Sequence, residues 1–445
     1  MSARDYQALL DSDSKPVPPV LRDERRVDLG TGPIPVERYV SPEWADAERR
    51  LLWPRVWQMA CREEDIPEVG DVHVYEVADR SILVVRSAPG EVRAYHNSCL
   101  HRGRRLLDES GRVEHLRCGF HGWTWSLDGG LKTLPCRWDF AHVGQEELQL
   151  PEVKVGRWGG FIFINMDPDC IPLEEYLGVL PEHFARWRLE DCVKAVHVAR
   201  VIDCNWKVAQ EAFMESYHVI ATHPQILPIF ADVTAEYDIY GPHVNRNLAA
   251  FAEPSPHLPE PSSPQQLVDE MFALWGRRKP EGLEAGDAPR ATLGEVARTS
   301  FGRAADKDMG DVADAEVLDA IVYNVFPNFA PWGGFAPNIV YRWRPYGDTP
   351  DRCIMEAMFL KRVPEGAERP RGVPVHWLGE DEPWCSATEL GALGGVIDQD
   401  MSNMPSVQRG MKSSASGQLQ LGRYMESRIR HFHATLEQYL GCNED

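Results

Sequence analysis

Two short loops that each hold one cysteine and one histidine constrain this chain more than any other feature. The first loop holds Cys99 and His101, and the second holds Cys118 and His121. Thiolate and imidazole ligands in this pattern are typical of zinc or of an iron–sulfur cluster. With only 10 cysteines in 445 residues, the chain is no disulfide scaffold, so we expect metal binding rather than bridges. The fold must therefore bring both loops to one point.

The mixture of unlike ligands within each loop bears on which metal site this is. A Cys₂His₂ zinc site usually takes like ligands from each loop, and it stays open as an alternative. A Rieske 2Fe–2S cluster has two cysteines on one iron and two histidines on the other, which two mixed loops supply. Glycines beside the ligands, Gly103, Gly119 and Gly122, let the backbone approach the bridging sulfides. The spacing favours the Rieske cluster.

The rest of the sequence predicts an α+β chain with two domains behind an arm. Residues 1–44 are rich in proline and charge and predict an N-terminal arm. Residues 45–167 contain brief strand patterns between Gly and Asp turns, which favour an antiparallel β domain around the two loops. Residues 168–445 predict a larger α+β domain with an antiparallel sheet. In it we expect helices over 173–188, 206–218 and 418–440, strands over 320–326, 339–343 and 353–362, and loops over 254–264 and 279–290.

A second group of candidate ligands lies in the larger domain. His218 and His223 are five residues apart, which on a regular helix separates them by about 140°. Both reach one metal only if the helix ends or bulges near His218, and Pro224 favours such a break. Asp398 and Asp400 follow at the start of a predicted helix, and two histidines with one carboxylate form the facial triad of non-heme iron sites. By spacing alone, two such histidines are more often ordinary core or surface residues.

Both groups resemble the motifs of the catalytic α subunits of Rieske non-heme iron aromatic ring-hydroxylating oxygenases. The resemblance covers residues 53–410 and includes GWTWSLDGGL after the second loop, N-W-K…E-x-F-x-E-x-Y-H-x-x-x-x-H-P over 205–224, and D-x-x-x-x-x-x-x-Q-x-G from Asp400. Asp398 is out of register with that last motif. The resemblance implies that one cluster iron is held by Cys99 and Cys118, the other by His101 and His121, and a separate Fe²⁺ by His218, His223 and Asp400.

The resemblance also implies how electrons pass between the two metal sites. Glu215 matches the family's bridging carboxylate, which contacts a cluster histidine of the next subunit and an iron-ligand histidine of its own. We expect His121 and His218 in these two roles. The bridge requires a head-to-tail homotrimer, and a small β subunit stays open. Ala212 stands where the family often has asparagine, so any role of that residue is absent.

This pairing of sites implies an enzyme that activates O₂ with electrons from NAD(P)H, delivered by a separate reductase and in some systems a ferredoxin. The chain has no convincing G-x-G-x-x-G after a strand, so the nicotinamide chemistry belongs to another protein. We expect hydroxylation of an aromatic or similar hydrophobic substrate. The alternatives are oxidative demethylation or monooxygenation of a methylated or quaternary ammonium substrate, a Rieske electron carrier without oxygenase chemistry, and a zinc-stabilised binding protein.

Aromatic residues of the second domain predict the substrate pocket. Most aromatic residues in strands are core residues, so only part of this set is expected to touch substrate. A pocket of this kind suits a flat apolar ligand, or a quaternary ammonium group through cation–π contacts. The candidates are Phe213, Tyr323, Phe326, Phe329 and Trp332.

Charge and hydropathy narrow the partners and the compartment. The net charge of −21 argues against nucleic acid, because phosphate binding needs a basic surface. No stretch approaches the roughly 20 apolar residues of a membrane span. The polar N-terminus lacks the apolar centre of a secretory signal. We therefore expect a cytoplasmic protein that binds no membrane.

Overall fold

The N-terminal arm consists of short elements that lie against the larger, C-terminal domain. The computed structural model of the chain describes residues 5–144 and 146–441. The Tyr6 hydroxyl donates to the buried Asp319 carboxylate at 2.9 Å, and the Ser14 backbone N–H donates to Asp314 at 2.7 Å. Arg290 pairs with Asp319 at 2.7 Å. The arm contains α1 Tyr6–Leu10, β1 Ile34–Pro35, α2 Glu37–Val40 and α3 Pro42–Ala47.

Brief strands rich in valine, isoleucine and aromatic residues build the first domain. They are β2 Gln58–Arg62, β3 Asp71–Val77, β4 Arg80–Ala88, β5 Glu91–His96, β6 Gly111–Arg112, β7 Leu116–Arg117, β8 Thr124–Trp125, β9 Leu131–Thr133, β10 Glu152–Trp158 and β11 Phe161–Asn165. Seven of them form an antiparallel sheet in the order β2-β11-β10-β5-β4-β3-β6, and three form a small sheet in the order β7-β8-β9. One Cys/His loop follows β5, and the other connects β7 to β8.

The second domain is built on one eight-stranded sheet whose central strands are almost entirely buried. Its strands run in the order β13-β14-β15-β16-β17-β18-β12-β19 and are antiparallel except for the β12–β19 pair. The predicted α+β class and antiparallel character are confirmed. These strands are β12 Cys192–Ile202, β13 Glu236–Tyr240, β14 Val244–Ala249, β15 Ala320–Val325, β16 Phe329–Pro331, β17 Ile339–Pro345, β18 Cys353–Arg362 and β19 His376–Trp377.

Nine helices of the described chain surround this sheet. None of the helices within residues 5–144 and 146–441 is long and apolar enough to cross a membrane. The nine are α4 Leu173–Leu177, α5 Leu180–His183, α6 Trp206–Glu211, α7 Val219–Thr222, α8 Pro264–Leu274, α9 Pro289–Ala305, α10 Asp314–Leu318, α11 Ala392–Lys412 and α12 Ser427–Leu440.

Three predicted helical segments are shorter than expected, and four helices, α7 to α10, were not predicted. The segment expected to be helical over 173–188 contains α4 and α5, and its last helix ends at His183. The helix expected over 206–218 ends at Glu211. The last helix begins at Ser427 rather than at 418, because residues 418–419 form the strand β20 Gln418–Leu419, which pairs with β1 in the arm. It ends at Leu440, as predicted, and Gly441 follows in the left-handed conformation. The unpredicted helices α8 and α9 follow the two proline-rich segments, and the Ser263 capping box with Pro264 is the sequence signal that marks the start of α8.

A buried arginine joins the two domains. Arg342 on β17 donates from Nη1 to the backbone carbonyls of Met59 and Ala60 on β2, both at 2.8 Å. Its other nitrogens form two hydrogen bonds with Glu356 on β18, at 2.6 and 2.7 Å. This contact links the edge strand of the first domain's large sheet to the centre of the second.

Candidate functional site

The two Cys/His loops have the same backbone hydrogen bonds. In the first loop the Cys99 N–H donates to the Arg104 carbonyl and the Gly103 N–H donates to the Cys99 carbonyl. The second loop repeats the pattern, from Cys118 to residue 123 and from Gly122 back to Cys118. Gly103 and Gly122 both have φ = +75°, a left-handed conformation that favours glycine. The two glycines thus allow each loop to fold back around its own cysteine.

The ligand atoms of the two loops converge, as the spacing predicts. The Nδ1 atoms of His101 and His121 lie 3.2 Å apart, and both cysteines are buried and free of disulfides. Burial raises the pKa of the Cys118 thiol, but backbone N–H groups of the loop outweigh this effect, so its net pKa lies below the ordinary value. Two facing imidazoles beside two cysteines fit the donor set of a Rieske 2Fe–2S cluster.

The histidine side of this group lies at the surface of the first domain. His121 is exposed, and the neighbouring Phe120 is 55% exposed. Behind them, the ring of His101 stacks on Trp123, with centroids 5.1 Å apart, and Trp123 is buried. A packed core therefore supports the ligands while their histidine edge faces outward.

The second group converges because the helix is interrupted where the spacing requires it. His218 precedes α7 and His223 follows it, so one short turn separates them. Asp400 lies on the buried face of α11. One ligand atom from each of the three side chains lies within 4.8 Å of the others. Nε2 of His223 is 2.8 Å from Asp400 Oδ1, and Nε2 of His218 is 3.5 Å from the same oxygen.

Each histidine of this triad is oriented through its second nitrogen. Nδ1 of His218 lies 2.6 Å from Glu215 Oε1, and Nδ1 of His223 lies 2.9 Å from Gln399 Oε1. Such outer contacts fix which nitrogen faces a metal. Two imidazoles and one carboxylate are the donor set of the facial triad that binds Fe²⁺. Gln399 was not predicted, since no spacing rule marks it, although it directly precedes Asp400.

Asp398 has a structural contact instead of a place in the triad. Its carboxylate accepts hydrogen bonds from the backbone N–H groups of Trp384 and Cys385, at 2.7 and 3.0 Å. Gln408, the glutamine of the same motif, joins α11, which carries Asp400, to the start of the segment that leads to His218. Its Oε1 accepts from the N–H of Asn205, the N-cap of α6. Helix α11 is thus fixed by hydrogen bonds of Asp398 on one side of Asp400 and of Gln408 on the other.

Glu215 lies between the triad and the protein surface. Its side chain is 9% exposed, whereas the adjacent Tyr217 is 59% exposed. Burial lowers the pKa of His218, but the hydrogen bond and charge of Glu215 outweigh burial and raise it above the ordinary value. Beneath the segment, the buried Arg428 donates to the Met214 carbonyl at 3.2 Å and fixes the backbone next to Glu215.

A large apolar cavity of about 580 Å³ opens at the triad. Volumes of about 300–1,000 Å³ are typical of sites for drug-sized ligands. Phe213 and Trp332 line the cavity, as predicted, together with Tyr341. Helices α8 and α9 cover it with side chains that the sequence did not suggest, among them Met271, Trp275 and Phe301.

The other three predicted pocket residues lie in the core rather than in the cavity lining. The Tyr323 hydroxyl is buried and lies 2.8 Å from His183 Nδ1, within hydrogen-bond distance. Phe326 packs against Phe432 and Tyr439, both on α12. Phe329 packs against Phe161 and Phe163 of the first domain. Their strands are buried on both faces, so sequence gives no sign of which face meets the cavity.

Family comparisons match both halves of the chain. The family described as the ring hydroxylating alpha subunit (catalytic domain) matches residues 182–441. The Rieske [2Fe-2S] domain matches residues 56–144. The two matched regions contain all seven converging ligands.

Curated relatives include two monooxygenase subunits and a dioxygenase subunit. The glycine betaine monooxygenase oxygenase subunit of Pseudomonas aeruginosa is 30% identical over 195 residues, 44% of this chain and 45% of that protein. The carnitine monooxygenase oxygenase subunit of Escherichia coli is 28% identical over 228 residues, 50% of this chain and 60% of that protein. Biphenyl 2,3-dioxygenase subunit alpha of Rhodococcus jostii is 28% identical over 219 residues, 48% of each chain. The chain spans about half the length of the curated relatives it matches.

Solved structures share the fold over nearly the whole chain. The quaternary ammonium Rieske monooxygenase CntA in complex with L-carnitine has a TM-score of 0.65 at 18% identity, covering 93% of this chain and 96% of that one. A naphthalene 1,2-dioxygenase variant bound to phenanthrene has a TM-score of 0.65 at 18% identity, covering 93% of both chains. The same architecture thus occurs in proteins solved with ligands of very different polarity.

Proposed function

Because this chain belongs to the ring-hydroxylating α-subunit family, with a Rieske domain ahead of the catalytic domain, we propose that it is a terminal oxygenase that hydroxylates a mainly apolar small molecule. It uses O₂ and electrons that a separate reductase, with or without a ferredoxin, obtains from NAD(P)H. In this proposal the Rieske domain spans residues 45–167 and the catalytic domain spans residues 168–445.

One observation carries this proposal: the ligand triad opens directly onto the apolar cavity. His218, His223 and Asp400 belong to the cavity lining, so a metal on these residues and a ligand in the cavity are neighbours. The remaining lining is largely apolar and aromatic, which favours burial of an apolar substrate by about 25 cal/mol per Å².

The chain's own residues would hold both cofactors. When bound, the cluster supplies single electrons and the ferrous ion supplies O₂ activation beside the substrate. The two imidazoles and the carboxylate of the triad would hold the Fe²⁺, and Glu215 and Gln399 orient the two imidazoles through their second nitrogens. The four loop ligands, Cys99, His101, Cys118 and His121, would hold the cluster.

We propose that the chains form a head-to-tail homotrimer in which Glu215 would link the triad of one protomer to the cluster of its neighbour. The exposed histidine edge of the first domain supports it, because a neighbouring chain can reach that edge. Glu215 is nearly buried, but it lies two residues from the exposed Tyr217 and so close to the protein surface. Glu215 already contacts an iron-side histidine in its own chain. An imidazole from the neighbouring protomer's cluster would complete the bridge.

The test is oxygen incorporation by the purified enzyme. The protein, supplied with a surrogate Rieske reductase, NADH and ¹⁸O₂, is incubated with a panel of aromatic and aliphatic apolar compounds, and products are identified by mass. We expect one or two ¹⁸O atoms in a product, and no product from Asp400→Ala. Absence of ¹⁸O product from every apolar compound would contradict the proposal.

A quaternary ammonium substrate is a second candidate. The cavity contains several aromatic side chains, including Phe213, Trp275, Trp332 and Tyr341, whose faces attract a cation. Two matched relatives are named for glycine betaine and carnitine. Including both compounds in the same panel separates the candidates, because turnover of these two alone, with release of formaldehyde, favours demethylation over hydroxylation of an apolar compound.

A further inference from the structure

One charged side chain in the cavity lining has no part in the metal site. Arg277 is the only lysine or arginine among the described residues that line the cavity. The carboxylates of that lining belong to Glu215 and Asp400, both of which are engaged at the triad. The cavity therefore has acidic groups at the iron and one isolated cation on a different wall.

The backbone of Arg277 is fixed by the end of α8. Gly276 has φ = +60°, and its N–H donates to the Ala273 carbonyl at 3.0 Å, while the Arg277 N–H donates to the Phe272 carbonyl at 3.1 Å. This pair of bonds is the Schellman arrangement that closes a helix. Trp275, two residues before Arg277, lines the same cavity. The end of α8 therefore places an aromatic ring and a guanidinium in one cavity wall.

The side chain is held but not neutralised. Nη1 of Arg277 donates to Ser300 Oγ on α9 at 2.6 Å. No carboxylate in residues 5–144 or 146–441 lies within ion-pair distance of it, whereas nearby Lys279 pairs with Asp269. A guanidinium has five N–H donors in a planar fork that matches a carboxylate. The Arg277 side chain is exposed, so donors not bonded to Ser300 are accessible to a ligand.

We propose that Arg277 binds a carboxylate of the substrate, so that the enzyme acts on an amphipathic acid. This inference rests on the proposed function and narrows it. The apolar body of the acid packs against the aromatic and aliphatic lining, and its anionic end lies at the junction of α8 and α9. Glu215 repels the anion from the other end. The part of the molecule farthest from the carboxylate then meets the triad, and hydroxylation takes place there.

The experiment compares acids with neutral alcohols of the same length. Binding of ω-phenylalkanoates, from phenylacetate to phenyloctanoate, and of the matching phenylalkanols is measured by calorimetry on the holoenzyme without reductase. The variants are Arg277→Gln, Arg277→Lys and, as a matched control, Arg278→Gln. Arg278 is exposed like Arg277 but lies outside the cavity lining. Iron and cluster content are verified for each variant.

We expect the wild-type enzyme and Arg278→Gln to bind the best acid at least about tenfold more tightly than its alcohol, as a charge-assisted pair allows. Arg277→Gln should lose this preference while binding the alcohol unchanged, and Arg277→Lys should keep part of it. Equal binding of acid and alcohol by the wild type, or an unchanged preference in Arg277→Gln, would overturn the role of Arg277 and leave the apolar cavity intact. Failure of both series to bind would overturn the apolar substrate as well.

Discussion

At the residue scale, the convergence of the candidate ligands was predictable and their orienting partners were not. Cys99, His101, Cys118 and His121 converge because their spacing encodes two similar loops. The helix break that lets His218 and His223 meet was also predictable, from the angle that a regular helix would impose. Orienting partners such as Gln399 come from other elements, and a local pattern does not reveal them. Three of five proposed pocket aromatics lie in the core for the same reason.

The two neighbouring aspartates give a prediction at this scale. Asp400→Ala should lose the mononuclear iron and keep the cluster, because it removes the only carboxylate of the triad. Asp398→Ala should keep both metals and lower the free energy of unfolding by about 1–3 kcal/mol, since two backbone N–H groups lose their acceptor. Iron and acid-labile sulfide per chain, with denaturant unfolding, check both variants. Loss of the single iron in Asp398→Ala alone would reverse the assignment.

Glu215 is tested by changes of charge and of length. Glu215→Gln should bind both metals yet slow substrate-dependent oxidation of the pre-reduced cluster by about two orders of magnitude, because the bridging carboxylate is lost. Glu215→Asp should recover part of the rate, since it keeps the charge on a shorter side chain. Stopped-flow absorbance of the cluster provides the measurement. An unchanged rate in Glu215→Gln would remove the bridging role.

At the element scale, strands and terminators were easier to predict than helix lengths. The strand expected over 353–362 is β18 as observed, and α12 ends at Leu440 as expected. The predicted start of α12 was wrong because residues 418–419 pair with a strand in the arm, almost 400 residues away in sequence. Helices α8 and α9 cover the cavity, but they were not predicted, because the proline-rich segments before them indicated loops. Long-range pairing and covering elements depend on the assembled fold rather than on local pattern.

The cluster loop provides the prediction at this scale. Gly122→Ala places a Cβ in the left-handed conformation, φ = +75°, at a cost of about 1–2 kcal/mol, and should lower cluster occupancy as purified. Gly111→Ala, between the two loops, is the control, because that residue has ordinary φ and its added Cβ meets nothing within 4 Å. Visible absorbance per chain measures occupancy. Equal occupancy in the two variants would show that the loop conformation does not limit cluster binding.

At the scale of the whole molecule, a buried polar network holds the two domains together. Glu356 accepts from Arg342, which in turn reaches the carbonyls of β2. His197 and Arg344 complete its surroundings, at 3.1 and 3.3 Å. Burial raises the pKa of Glu356, but the two arginines outweigh burial and hold it well below the ordinary value. Both partners of the Arg342–Glu356 pair are buried, so removing one leaves the other uncompensated.

Glu356→Gln should therefore destabilise the protein by about 3–5 kcal/mol near neutral pH. Because the folded pKa of Glu356 is depressed, its contribution is complete above the unfolded-state pKa of about 4.3 and declines as pH falls toward the folded value. The difference between wild type and variant should shrink below about pH 4. Denaturant unfolding from pH 7 to 3, with the exposed Glu91→Gln as control, measures this. A pH-independent difference would contradict the account.

The most direct test of the account is a mixed trimer that separates the two metal sites between chains. A cluster-deficient Cys118→Ser chain and an iron-deficient Asp400→Ala chain are co-expressed with different tags, and the mixed trimers are purified and assayed with the surrogate reductase. Transfer between protomers predicts about one third of wild-type turnover, because in every mixed trimer one of the three head-to-tail contacts pairs an intact cluster with an intact iron site. Turnover no higher than that of either variant alone would contradict it.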